Sequence, residues 1–145
     1  MKDQILYYST NRLLDSLEGL KPFTGRVPFR EALLLGQAPD EGLFMPEKIP
    51  QLSLAEILRL KGRPYTAAAQ IVAEAYLGAD LPAETLASVI ESSYNYEVPL
   101  EKVMDRRYVL RLDRGPTASF KDFAARMMAR LMSHFRDRGK RLNVL

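Results

Sequence analysis

The most constraining stretch of this 145-residue sequence is a set of apolar residues near its end: Phe120, Phe123, Ala124, Met127, Met128, Leu131 and Phe135. Their offsets of 0, 3, 4, 7, 8, 11 and 15 line one face of a 3.6-residue helix. Arg126, Arg130, Arg136 and Arg138 fill the gaps, and Gly139 stands where such a helix stops. A stripe of this kind must lie against an apolar partner, so the rest of the chain has to supply a core for it. Tyr108 to Leu112 reads as a strand before the helix, and Arg141-Leu142-Asn143-Val144-Leu145 as the start of a buried one after it. A strand–helix–strand unit is expected, with its second strand cut short and needing a sheet to pair with.

Upstream, the pattern alternates between short strands and helices. Ile5 to Ser9 reads as a strand, and Leu13, Leu14, Leu17 and Leu20 have the spacing of a short helix or a structured loop between Thr10 and Pro22. Phe29 to Leu35 is a helical run closed by Gly36, and Leu43 to Pro46 a short extended piece. Ser53 with Glu56 is a capping box before Ile57, Leu58 and Leu60, stopping at Gly62. Pro64 opens a helix that ends at Gly78, and Leu81-Pro82 opens another carrying Leu86, Val89 and Ile90, with Val98-Pro99 breaking the pattern. The fold class is mixed α/β.

Charge divides the chain. Residues 1–100 hold 9 Lys and Arg against 13 Asp and Glu, whereas residues 101–145 hold 12 against 5. A basic segment can face nucleic acid, a membrane, a small anion or only water. No nucleic-acid reader motif or aromatic interleaving accompanies it, so no nucleic-acid partner is expected. There is no cysteine, which excludes disulfides, thiolate zinc sites and cysteine nucleophiles and suits a cytoplasmic setting. No run approaches the ~18 apolar residues of a membrane span. The single histidine, His134, falls on the polar side of the last helix, and Asp40, Glu41 and Glu47 are too dispersed for a metal site, so no metal is expected.

The segment Arg114-Gly115-Pro116-Thr117-Ala118-Ser119-Phe120-Lys121-Asp122-Phe123 joins the strand to the amphipathic helix. Ser119 reads as its N-cap, with Asp122 as a short version of the capping-box acid. Lys121 then lies in the first helical turn, where the positive end of the helix dipole disfavours an ammonium ion. Imine chemistry needs a lysine able to present a neutral amine, because only that form attacks a carbonyl. Spacing alone leaves a second reading open, an exposed lysine beside Asp122 as an ordinary surface pair.

Pro116-Thr117-x-Ser119-Phe120-Lys121-Asp122 resembles the lysine motif of the threonine synthases, within the tryptophan-synthase-β-like class of pyridoxal-phosphate enzymes. Tyr7-Tyr8-Ser9-Thr10-Asn11, Val27-x-Phe29-x-Glu31-Ala32 and Ala38-Pro39-Asp40-x-Gly42-Leu43-Phe44-Met45-Pro46 resemble the N-terminal signature of the same family, in the same order. Two departures stand out. Arg114 replaces the histidine common before Gly-Pro-Thr, and Glu41 replaces the first glycine of a common Pro-Asp-Gly-Gly-Leu.

The resemblance implies a small N-terminal domain over residues 1–100 and the first strand–helix–strand of a cofactor domain over residues 101–145. It implies pyridoxal 5'-phosphate as cofactor, Lys121 as its Schiff-base lysine and proton carrier, and Phe120 beside its ring. It further implies conversion of O-phosphohomoserine and water to threonine and phosphate by the full-length enzyme. The family's Gly-rich phosphate loop does not follow Lys121, so the 145 residues alone are expected to be inactive, and an unpaired strand edge invites self-association. The alternatives are a phospholyase or dehydratase using the same lysine, or a non-catalytic helical interaction module.

Overall fold

The computed structural model describes residues 3–14, 19–137, 139 and 141. Among these residues, two antiparallel sheets and five helices alternate along the chain. The first sheet has β1 (Leu6–Ser9) at its centre, flanked by β2 (Arg26–Pro28) and β3 (Phe44–Pro46). Tyr7 is opposite Val27 on one side and Pro46 on the other. Both prolines of this sheet stand on edge strands, where a missing N–H costs no ladder bond. Tyr7 and Ser9 alternate inward from β1, and Ile5 is buried just before it.

The helices are α1 (Phe29–Leu35), α2 (Leu54–Leu58), α3 (Tyr65–Leu77), α4 (Ala83–Ser93) and α5 (Lys121–Phe135). The capping box at α2 forms as its sequence predicts: Ser53 Oγ accepts from Glu56 N–H, and the Glu56 carboxylate accepts from Ser53 N–H at 2.8 Å. The apolar stripe of α4 is buried through Leu86, Val89 and Ile90. Together with Ala73, Leu77 and Leu81 it meets Leu131 and Phe135 of α5 in the main core. A second cluster, Ile5, Tyr7, Val27 and Ala32, lies under the sheet. Phe29 joins the two, its ring 5.7 Å from Tyr7 and 6.1 Å from Phe135.

Arginines that the sequence leaves open between anion binding and solvated surface turn out to fasten helices. Arg126 on α5 donates to the carbonyls of Ser93 at 2.8 Å and Ser92 at 3.2 Å and to Asn95 Oδ1 at 2.6 Å. Arg130 donates to Ser92 Oγ at 2.8 Å. A guanidinium at the C-terminus of α4 satisfies carbonyls that helix geometry leaves without partners and meets the negative end of the dipole. Arg30 does the same for α5, donating to Phe135 O at 3.1 Å and pairing with Asp137 at 2.8 Å.

Two expectations change. The helix ends at Phe135 with Arg136 extended, ahead of Gly139, because Arg30 takes the last carbonyl. The strand read at Tyr108–Leu112 is one arm of a hairpin, β4 (Leu100–Met104) with β5 (Arg107–Leu110). Its first arm is hidden from sequence patterning because every residue of both strands is exposed, so no burial alternation marks it. Of the two readings of the Thr10–Pro22 segment, Leu13 and Leu14 take the structured loop, in exposed turns; Leu17, of the same pattern, lies outside the described residues. Leu142 to Leu145, most of the strand expected after α5, also lie outside them. No helix among the described residues is long and apolar enough to cross a membrane.

Burial raises the Tyr94 phenol to about 12, helped by neighbouring Tyr65 and Tyr96, and burial with Asp80 and Tyr76 nearby does the same for Tyr7. The folded state therefore holds these protons longer than the unfolded state. Their contribution is complete below pH 10.0, the ordinary tyrosine value, and is lost as pH rises through about 12. Urea unfolding midpoints should fall steeply across that window. Tyr94→Phe should reduce the slope there, while lowering stability at pH 7 by ~1 kcal/mol through loss of the hydrogen bond to Phe123 O.

Candidate active site

The lysine segment begins with a β-turn, Gly115-Pro116-Thr117-Ala118, closed by Ala118 N–H donating to Gly115 O at 3.0 Å. Pro116 suits the second position of such a turn, whereas Ala118 takes a left-handed φ of 54°. Lys121 is the first residue of α5 and is exposed, and Phe120 just before it is 65% exposed. The amine is thus rooted at a helix start and open to a ligand.

The helix start differs from the capping box read in the sequence. Ser119 Oγ accepts only from Lys121 N–H, at 3.3 Å, and Asp122 N–H bonds to the backbone carbonyl of Ser119 at 3.1 Å. The Asp122 carboxylate turns the other way: Oδ2 accepts from Thr117 N–H and from Thr117 Oγ1, both at 2.9 Å. Thr117 offers both its backbone N–H and its hydroxyl, and Gly115 leaves the room for the approach.

Phe123 anchors the same turn from within. Its ring stands 5.4 Å from Tyr65, 5.9 Å from Tyr94 and 5.5 Å from Tyr96, the first and last edge-on. Tyr94 Oη also donates to Phe123 O at 3.0 Å. Each such ring pair adds ~0.5–1.5 kcal/mol beyond the buried area. These partners come from the start of α3 and the end of α4, which seats the lysine helix on the N-terminal elements.

The hairpin arginines do not converge on Lys121 in any recorded contact. Arg111 binds Asp113 through two hydrogen bonds of 2.8 and 2.6 Å and Glu101 through one of 2.9 Å. The Asp113 carboxyl is held down at about 2 by Arg111, against partial desolvation. His134 is exposed, in keeping with a surface residue. No group of three His, Cys, Asp or Glu among the described residues could hold a metal. An open apolar cleft of about 600 Å³ separates α3 from α5, walled by Phe29, Tyr65, Val72, Met127 and Met128. It does not reach Lys121, and its walls lack the charged groups that an anionic ligand needs.

Sequence reading missed a second constellation. Asp40 is fully buried, with Oδ1 accepting from Ser9 Oγ at 2.5 Å and Gly42 N–H at 3.1 Å, and Oδ2 from Phe23 N–H at 2.8 Å. Asn11 closes the knot, its N–H donating to Ser9 Oγ at 3.1 Å and its Nδ2 to Asp40 O at 3.0 Å. Desolvation works to raise the Asp40 carboxyl, but the hydrogen bonds from Ser9, Phe23 and Gly42 outweigh it and leave it below the ordinary 3.8. The available signal was that Ser9-Thr10-Asn11 and Asp40-x-Gly42 are the polar members of otherwise apolar blocks. Position 42 has no space for a side chain, since a Cβ there would run into Ser9 Oγ and lie 2.9 Å from Asn11 N.

A family model described as "Threonine synthase N terminus" matches residues 21–94. The chain is 37% identical over 126 residues to the threonine synthase of Haemophilus influenzae, covering 86% of this chain and 29% of that protein. It is 37% identical over 114 residues to human "Threonine synthase-like 1", covering 73% of this chain and 15% of that protein. The solved structure of pyridoxal-phosphate-bound threonine synthase from Brucella melitensis superposes with a TM-score of 0.78 at 29% identity, over 90% of this chain and 27% of that one. The chain thus spans less than a third of the length of these relatives.

Two substitutions test the knot. Gly42→Ala should destabilise the protein by ~1–3 kcal/mol, the usual cost of overpacking. Glu41, at φ 60°, occupies the position where the family pattern has glycine, and Glu41→Gly should stabilise by ~0.5–1 kcal/mol, both read from urea melts.

Proposed function

Because this chain belongs to the threonine synthase family of pyridoxal-phosphate-dependent enzymes, we propose that it is the N-terminal portion of an enzyme that converts O-phosphohomoserine and water to threonine and phosphate. Lys121 is its cofactor-bearing lysine, and Phe120 lines the cofactor's ring. The observation that carries the reading is Lys121, exposed at the first residue of α5, with its backbone set between the Asp122–Thr117 contact and the boxed ring of Phe123. An accessible primary amine beside an open aromatic ring fits the carbonyl-binding half of pyridoxal phosphate.

When bound, that group supplies an electron sink for carbanions. The work of this chain's own residues is proton transfer and placement. The Lys121 amine takes and returns protons at the substrate α- and β-carbons, the chemistry expected of a lysine within reach of both. Phe120 gives the cofactor ring an apolar face to rest on. Ser119, Thr117 and Asp122 hold the helix start and take no proton. Residues 1–100 form the N-terminal domain in this reading, and residues 101–145 begin the cofactor domain. The division is one of chemistry, since α5 shares a core with α3 and α4.

Elimination by the same lysine to give a 2-oxo acid is the competing outcome: threonine as the product of the full-length protein supports the proposal, and a 2-oxo acid overturns it.

Borohydride reduction of the full-length protein loaded with pyridoxal phosphate should leave the pyridoxyl group on Lys121 in a peptide map, and Lys121→Ala should abolish turnover. A label on a different lysine would overturn the assignment. The 145-residue polypeptide, whose sequence after Lys121 has no Gly-rich Ser/Thr/Asn loop, should release no phosphate from O-phosphohomoserine.

A further inference from the structure

We propose that Asp122 is a positioning residue for Lys121, clamping the Gly115–Ala118 turn onto the first turn of α5 through Thr117. The proposal rests on the reading of Lys121 as the cofactor-bearing lysine.

Asp122 is 6% exposed, although Phe120 and Lys121 immediately before it are exposed. A carboxylate taken out of water needs donors, and both recorded for Asp122 belong to one residue five positions back in the chain. A charge-assisted pair of bonds to a single residue fixes that residue in orientation as well as distance. The approach depends on the absence of a side chain at position 115. A Cβ there would run into Asp122 Oδ2 and stand 2.8 Å from Asp122 Cβ.

The turn so held contains Ala118 at a φ of 54°, a conformation that an alanine does not keep unless its surroundings impose it. Released from Asp122, the turn has one internal backbone hydrogen bond, Ala118 N–H to Gly115 O, to maintain it. Lys121 lies between this turn and Phe123, which Tyr65, Tyr94 and Tyr96 fix from the other side. A lysine side chain has four rotatable bonds, so the place its amine reaches is reproducible only if the backbone at its root is fixed at both ends. Phe123 supplies the core-side end and Asp122 the loop-side end. Asp122 acts through the backbone and exchanges no proton with substrate.

The test combines amide hydrogen exchange on this chain with spectroscopy on the full-length holoprotein. In Asp122→Ala and Gly115→Ala, amides from Thr117 to Lys121 should exchange at least tenfold faster, while those from Met127 to Leu131 remain as in the parent. In the same variants of the holoprotein, the visible circular dichroism of bound pyridoxal phosphate, per unit absorbance, should fall at least twofold with the reduced label still on Lys121. Thr117→Ser, which keeps both donors, should match the parent in both measurements, and Thr117→Val should lie between. Unchanged exchange in both alanine variants, or faster exchange with unchanged dichroism, overturns the clamp. A parent protein labelled elsewhere than Lys121 refutes the lysine assignment, and exchange then decides the clamp alone. If Asp122→Ala does not fold, Gly115→Ala and Thr117→Val carry the same comparison.

Discussion

The seat of α5 on the end of α4 is the contact on which the rest of this structure depends. It is reciprocal. Arg126 and Arg130 of α5 supply donors to the carbonyl end of α4, and Tyr94, the residue that closes α4, returns a donor to Phe123 O. Guanidinium hydrogen bonds to helix-terminal carbonyls are stronger than neutral ones and have a preferred direction. The aromatic group around Phe123 adds the apolar half of the same contact. With both in place, the orientation of α5 follows, and with it the position of Lys121 at its first residue. Two of the twelve basic residues of 101–145, a segment that by itself suggests an anionic partner, serve this seat.

Much of the architecture was legible because it was written in periodicity and caps. Phe123, Met127, Leu131 and Phe135 of the stripe, the capping box at Ser53 and Glu56, and the buried Leu86, Val89 and Ile90 emerge where the residue spacing puts them, whereas Ala124 and Met128 of the same stripe stay exposed. What escaped was set by distant contacts. β4 leaves no alternation because neither of its faces is covered among the described residues. The end of α5 is decided by Arg30, more than a hundred positions earlier, which no local rule near Gly139 can anticipate.

The lysine region divides in the same way. That Lys121 begins a helix after a turn was legible from Gly-Pro-Thr and the apolar stripe. That Asp122 answers Thr117 and not Ser119 was not, because the choice depends on the space above Gly115, a three-dimensional quantity. Ser9 and Asp40 are a parallel case. They are 31 positions apart, and their pairing follows from β1 and β3 lying side by side, which carries the two polar residues to one point. Two of the three sequence blocks that resemble the family's N-terminal signature, those around Ser9 and Asp40, are thus two halves of one hydrogen-bonded unit.

The shared core of α5 has a consequence for the order in which the molecule assembles. Its recorded partners, from Phe29 and Arg30 through Tyr65 to Ser92, Ser93 and Tyr94, all precede it in the chain. Translation therefore delivers these surfaces before α5 itself emerges. The lysine helix can settle against neighbours that are already made. In a protein whose relatives are more than three times this length, Lys121 is rooted in contacts with segments made before it.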